Sequence, residues 1–91
     1  MDSRALDVGR RVNNLVQRNF GGDQRRAFNH YAQGRPEVSR DQVHRLLSDA
    51  GVGSGLTRGL YTNGVMDQFD ANRSNGISWQ EFQNGMRRLG Q

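Results

Sequence analysis

The stretch Phe69-Asp70-Ala71-Asn72-Arg73-Ser74-Asn75-Gly76-Ile77-Ser78-Trp79-Gln80-Glu81-Phe82 places oxygen-bearing side chains at the first, third, fifth, ninth and twelfth positions of a twelve-residue loop beginning at Asp70. A hard divalent cation of calcium's size takes about six to eight oxygens. So short a loop supplies them only if alternate side chains turn inward and a longer acidic residue closes the shell. Asp70, Asn72, Ser74, Ser78 and Glu81 stand where that geometry asks. Ser78 followed by Glu81 also forms a capping box, which starts a helix leaving the loop. Glu81 therefore has two candidate roles, cap and ligand.

In this spacing the chain resembles the EF-hand family, over about a third of its length and with Phe69 and Phe82 flanking the loop as that motif requires. The resemblance implies one calcium ion per chain, held by Asp70, Asn72, Ser74, Gly76, Ser78 and Glu81, with Gly76 at the seventh position contributing its backbone carbonyl. It also implies that Ile77, at the eighth position, pairs with a neighbouring loop through a short strand. Asn75 departs from the family's usual glycine at the sixth position, where positive φ is needed, but asparagine visits that region at low cost. Only Asp70 and Glu81 carry charge among these ligands, and Arg73 adds a positive charge inside the loop. The expected affinity is accordingly modest, on the order of 10⁻⁵ to 10⁻³ M, with magnesium as a competitor that prefers a smaller octahedral site.

EF-hands usually come in pairs, and a damaged counterpart lies upstream. Val38 stands 39 residues before Ile77, Ser39 and Gln42 repeat the capping box, and Val43, Leu46 and Leu47 supply the apolar face of an exiting helix. The stretch Ala32-Gln33-Gly34-Arg35-Pro36-Glu37 has arginine and proline where ligands belong. The expectation is a degenerate hand over residues 23–50 that pairs with the intact hand, residues 57–90, through Val38 and Ile77 and binds no calcium itself.

Ahead of the pair, Ala5, Val8, Val12, Leu15, Val16 and Phe20 recur at spacings of three and four, predicting an amphipathic helix within residues 1–22 that ends at Gly21-Gly22. Asp23 is placed to cap the next helix, which carries Ala27, Phe28 and Tyr31. The helix entering the intact loop is predicted from about Thr57 to Phe69, with Leu60, Tyr61, Val65, Met66 and Phe69 available for burial. Gly59 and Gly64 each weaken it by roughly 1 kcal/mol. A flexible linker, Gly51-Val52-Gly53-Ser54-Gly55, precedes it. The last helix, from Ser78 to Leu89, offers Phe82, Met86 and Leu89 to the core and ends at a Gly90 cap. The fold class expected is all-α: one domain over residues 1–91, an EF-hand pair with a short loop–loop β pairing, preceded by an extra N-terminal amphipathic helix.

Composition narrows the function. The 91 residues include no cysteine, which removes disulfides, thiolate zinc sites and cysteine nucleophiles. No apolar run reaches the length of a membrane span or a signal-peptide core, so the expected setting is cytoplasmic. All 13 basic residues are arginine and the net charge is +4. A GC-rich coding sequence explains arginine over lysine at least as well as a phosphate-binding surface does. Residues 1–60 hold ten arginines against six acids and residues 61–91 three against three, so the excess charge lies outside the metal-loop half. That surface admits an acidic protein or peptide as partner, and Arg4, Arg11 and Arg18 form a stripe with which the first helix could meet an anionic membrane surface, although the favoured reading is a helix packed on its own domain with these arginines in water. A helix-turn-helix over residues 43–60 is the alternative reading and would direct the arginines to DNA, but Gly53, Gly55 and Gly59 make a poor recognition helix, which disfavours nucleic acid. His30 and His44 are isolated, and no nucleophile, base and orienting acid recur in order, so no enzymatic activity is expected. His44 is expected on a solvated helix face and His30 near the edge of the degenerate loop. Trp79 is expected to pack rather than to stack on a base.

Overall fold

Val8, Val12, Leu15, Val16 and Phe20 are buried along one face of α1 (Ser3–Phe20), as their spacing predicts. The structure is a computed structural model and describes residues 3–89, with side-chain surroundings given from residue 6 onward. The expected burial of Ala5, the place of Arg4 in the arginine stripe and the Gly90 cap lie outside the described residues. Helix α1 ends at Gly21 and Gly22, whose φ angles of 61° and 83° are left-handed, and the Gly22 N–H returns to the Val16 carbonyl at 3.0 Å. Such a reversal comes at least cost in residues without a Cβ. Asp23 then caps α2 (Gln24–Ala32), its carboxylate accepting the Arg26 N–H at 3.1 Å.

The order that follows is helix–strand–helix, twice. Helix α2 leads through a turn to β1 (Glu37–Ser39) and α3 (Arg40–Asp49); α4 (Arg58–Phe69) leads through the longer loop to β2 (Gly76–Ser78) and α5 (Trp79–Leu89). The strands pair antiparallel with Val38 opposite Ile77, the register expected from the repeated capping box. Both residues are almost fully buried and join the main core, so the strand pair is fixed on one side by apolar contact. Ser39 caps α3, its Oγ accepting the Gln42 N–H at 3.3 Å, and Val43, Leu46 and Leu47 turn inward.

Helix α1 lies against α2, α3 and α5, its valines closing an apolar space that Phe28, Leu46 and Met86 line from the other side. The domain is thus compact and mostly helical, with five helices and one short two-stranded antiparallel sheet among the described residues. None of the helices described is long and apolar enough to cross a membrane.

Two expectations are corrected. Leu60 is not core: it is 71% exposed, while Thr62, Met66 and Phe69 are buried. These three share a face at spacings of four and three, and Leu60 lies roughly 200° around the helix from Thr62. Thr62 tolerates burial because its hydroxyl donates to the Arg58 carbonyl at 3.0 Å. The linker is anchored at its one apolar residue, since Val52 is buried, its N–H bonds the Leu47 carbonyl at 2.9 Å and its carbonyl accepts Arg58 Nε at 3.1 Å. Within the arginine stripe, Arg11 donates to Asp7 at 2.9 Å and to the Gly51 carbonyl at 3.2 Å while remaining half exposed.

Candidate metal centre

Loop 70–81 begins where α4 stops. The Asp70 N–H still bonds the Met66 carbonyl at 2.9 Å, and the chain then turns through two left-handed residues, Arg73 at φ 57° and Asn75 at φ 66°. Positive φ at Asn75 was expected; at Arg73 it was not, and a non-glycine residue held there costs on the order of 1 kcal/mol. Side-chain bonds that fold the loop inward hold this geometry.

Asp70 Oδ1 and Asn72 Oδ1 both accept the Ser74 N–H, each at 3.1 Å, and Asp70 Oδ2 accepts the Asn75 N–H at 2.8 Å. The Ser74 hydroxyl lies 3.4 Å from Asp70 Oδ1 and 3.3 Å from the Gly76 carbonyl oxygen. The side chains at the first and third positions and the carbonyl at the seventh are thereby gathered around Ser74 at the fifth. Glu81 closes the far side. Only 8% exposed, it accepts the Ser78 N–H on Oε1 at 2.9 Å and the Asn72 N–H on Oε2 at 3.1 Å, while Ser78 Oγ accepts the Glu81 N–H at 3.1 Å. The capping box is therefore complete in both directions, and the second oxygen of the same carboxylate reaches across the loop. Ser78 differs from the other four, because its hydroxyl faces the start of α5.

This donor set contains oxygen alone, from two carboxylates, an amide, two hydroxyls and a carbonyl, which suits a hard cation rather than a thiophilic or imidazole-seeking one. Its charge is low: among the described residues no three His, Cys, Asp or Glu side chains gather as metal ligands. The loop thus fits calcium's preference for mixed oxygen ligands while offering few formal charges.

One loop contact was not foreseen. Glu37, on β1, accepts a 2.6 Å hydrogen bond from the Ser74 hydroxyl on its Oε2. The sequence signal that could have found it is the strand register, which sets Glu37 opposite Ser78 and diagonal to Gly76. The upstream turn itself is tight, with Gln33 and Gly34 both left-handed at 55° and 80° and Arg35 and Pro36 exposed.

Aromatic packing ties the two halves together behind the loop. Phe82 lies 5.9 Å from Phe28 and 6.0 Å from Trp79, ring centre to ring centre, and the Arg25 guanidinium sits 4.8 Å above the Trp79 ring. Trp79 is half-buried and packs as expected. His30 lies in the last turn of α2, beside the degenerate loop, with its ring 5.3 Å from Phe20 and 4.8 Å from Tyr31, and His44 is exposed on α3. In the segment read as helix-turn-helix, the second helix begins at Arg58, whose guanidinium donates to the Val52 and Gly53 carbonyls.

Comparison with known proteins returned no match to any family model, curated protein or solved structure.

Proposed function

We propose that the protein is a calcium-binding module of the EF-hand kind, with one working site in residues 70–81 and a degenerate first loop, and that it acts as a calcium-responsive regulatory or interaction protein rather than an enzyme. The observation that carries this reading is the inward gathering of Asp70 Oδ1, Asn72 Oδ1, the Ser74 hydroxyl and the Gly76 carbonyl, closed by the buried Glu81 carboxylate. Asp70, Asn72, Ser74, Gly76, Ser78 and Glu81 would hold the ion, which when bound supplies positive charge between carboxylates.

The chain's own residues prepare that site. Asp70 fixes the turn through two backbone N–H groups, so its carboxylate is oriented before any ligand arrives. Glu81 holds Asn72 from one side and the start of α5 from the other, which links the shape of the loop to the position of the exiting helix. Phe82 and Trp79 extend that link to α2 through Phe28. A cytoplasmic setting and an acidic protein or peptide partner agree with this reading, the latter because the excess arginine charge lies in residues 1–60.

Calorimetric titration with calcium tests it directly. One site per chain is expected. Two comparably tight sites would refute the degenerate reading of residues 32–42, and absence of binding at millimolar calcium would refute the metal reading altogether.

A further inference from the structure

The Glu37 carboxylate belongs to the unmatched first half of the strand pair, yet it lies over the metal loop. Its partner in the register is Ser78, and its side chain crosses Gly76 so closely that a Cβ built there would stand 2.9 Å from Glu37 Oε1 and 3.1 Å from Glu37 Cβ. Gly76 therefore does more than offer a carbonyl: its missing side chain leaves the passage through which Glu37 reaches Ser74.

A serine hydroxyl has one hydrogen and two lone pairs. At Ser74 the shortest of three neighbouring oxygens is Glu37 Oε2 at 2.6 Å, against 3.3 Å to the Gly76 carbonyl and 3.4 Å to Asp70 Oδ1. The hydrogen is drawn to Glu37 by a charge-assisted bond, which leaves the lone pairs of Oγ free on the side of Asp70 and Gly76. Without that acceptor the hydroxyl would turn its hydrogen toward Asp70 or Gly76 and present a donor where a cation needs an acceptor.

Resting on the calcium reading of residues 70–81, we infer that Glu37 is a positioning residue for that site, holding the Ser74 hydroxyl as an oxygen donor. The degenerate half then contributes to metal binding without binding a metal. Groups that orient a ligand from behind commonly change metal affinity by about 10- to 100-fold when removed. A single neutral hydroxyl falls at the lower end.

The test is calcium affinity by calorimetry in Glu37→Met, Glu37→Gln, Ser74→Ala and the Glu37→Met/Ser74→Ala double variant. Circular dichroism of each verifies that the helices persist. Glu37→Met, of similar length but with no acceptor, is expected to weaken binding about tenfold. Glu37→Gln, whose amide oxygen can still accept the hydroxyl, should recover part of the loss. In the Ser74→Ala background Glu37→Met should cost nothing further. In the metal-free protein, amide NMR should move at residues 74–76 in Glu37→Met, a change that needs no calcium to be read. Unchanged affinity in Glu37→Met, an equal loss with and without Ser74, or no recovery in Glu37→Gln would each overturn the role of Glu37. Failure of the unsubstituted protein to bind calcium would instead remove the metal reading on which it stands.

Discussion

Glu81 Oε2 and the Asn72 backbone N–H are joined at 3.1 Å, so the twelfth residue of the loop is bonded to the third across its interior. Glu81 is 8% exposed, and its other carboxylate oxygen caps α5. Cap and candidate ligand are one group, so a change here has two measurable consequences.

Glu81→Gln keeps the shape but can accept through only one oxygen, leaving an amide N–H against either Asn72 or Ser78. Calcium affinity should fall at least tenfold, about 1.4 kcal/mol. Urea denaturation without metal should also show a loss of roughly 1 to 3 kcal/mol from the buried donor left unpaired. A stability loss with unchanged calcium affinity would make Glu81 a cap alone.

Two glycines should respond oppositely to alanine. Gly64 on α4 has nothing within 4 Å of a built Cβ, so Gly64→Ala should stabilise the metal-free protein by roughly 0.4–1 kcal/mol through lost unfolded-state freedom. At Gly85 on α5 the same Cβ would stand 2.4 Å from the Phe69 ring. Gly85→Ala should destabilise by about 1–3 kcal/mol as the two helices are forced apart. Thermal melts of the two variants side by side check both signs.

Tyr31 is buried and donates to Asp49 Oδ2 at 2.6 Å; burial first and that carboxylate second hold its hydroxyl pKa well above the ordinary tyrosine range. A group whose folded pKa is raised contributes stability that is complete below its unfolded value, 10.0, and is lost as pH rises above it, because the unfolded chain ionises first. Stability should therefore decline on raising pH beyond about 10. Tyr31→Phe should lack that component and cost roughly 1–2 kcal/mol at neutral pH, since Asp49 is exposed and can be resolvated.

Calcium at about 100 times its Kd should add roughly 2.7 kcal/mol to unfolding if only the folded chain binds it. For a domain of this size that moves the melting temperature by about 10 °C or more. Amide exchange should slow most in residues 57–81 and least in α1. Trp79, packed between Arg25 and Phe82, should report the change in fluorescence. An unshifted melting temperature at saturating metal would show that calcium has no preference for the folded form.

Much of this was readable before the fold. The positive φ of Asn75 follows from local spacing, and the repeated Ser-x-x-Glu/Gln pattern fixed the Val38–Ile77 register because a capping box pins each strand to the helix after it. What escaped was set by distant contact. Val52 is anchored because Leu47 and Arg58 meet it, which glycine content cannot reveal. Leu60 is exposed because the buried stripe of α4 runs through a threonine, so hydrophobicity pointed to the wrong face. Glu37 reaches Ser74 across 37 positions of chain, through a gap left by a glycine whose local role looked sufficient.

The valines of α1 complete the core from outside the two helix–strand–helix units, and a connection of only three residues, 21–23, joins α1 to α2. A segment on so short a tether faces its own seat at an effective concentration on the order of millimolar. A foreign amphipathic helix at micromolar concentration therefore begins about a thousandfold behind the chain's own first helix, a handicap of roughly 4 kcal/mol that it must overcome by fitting the seat better.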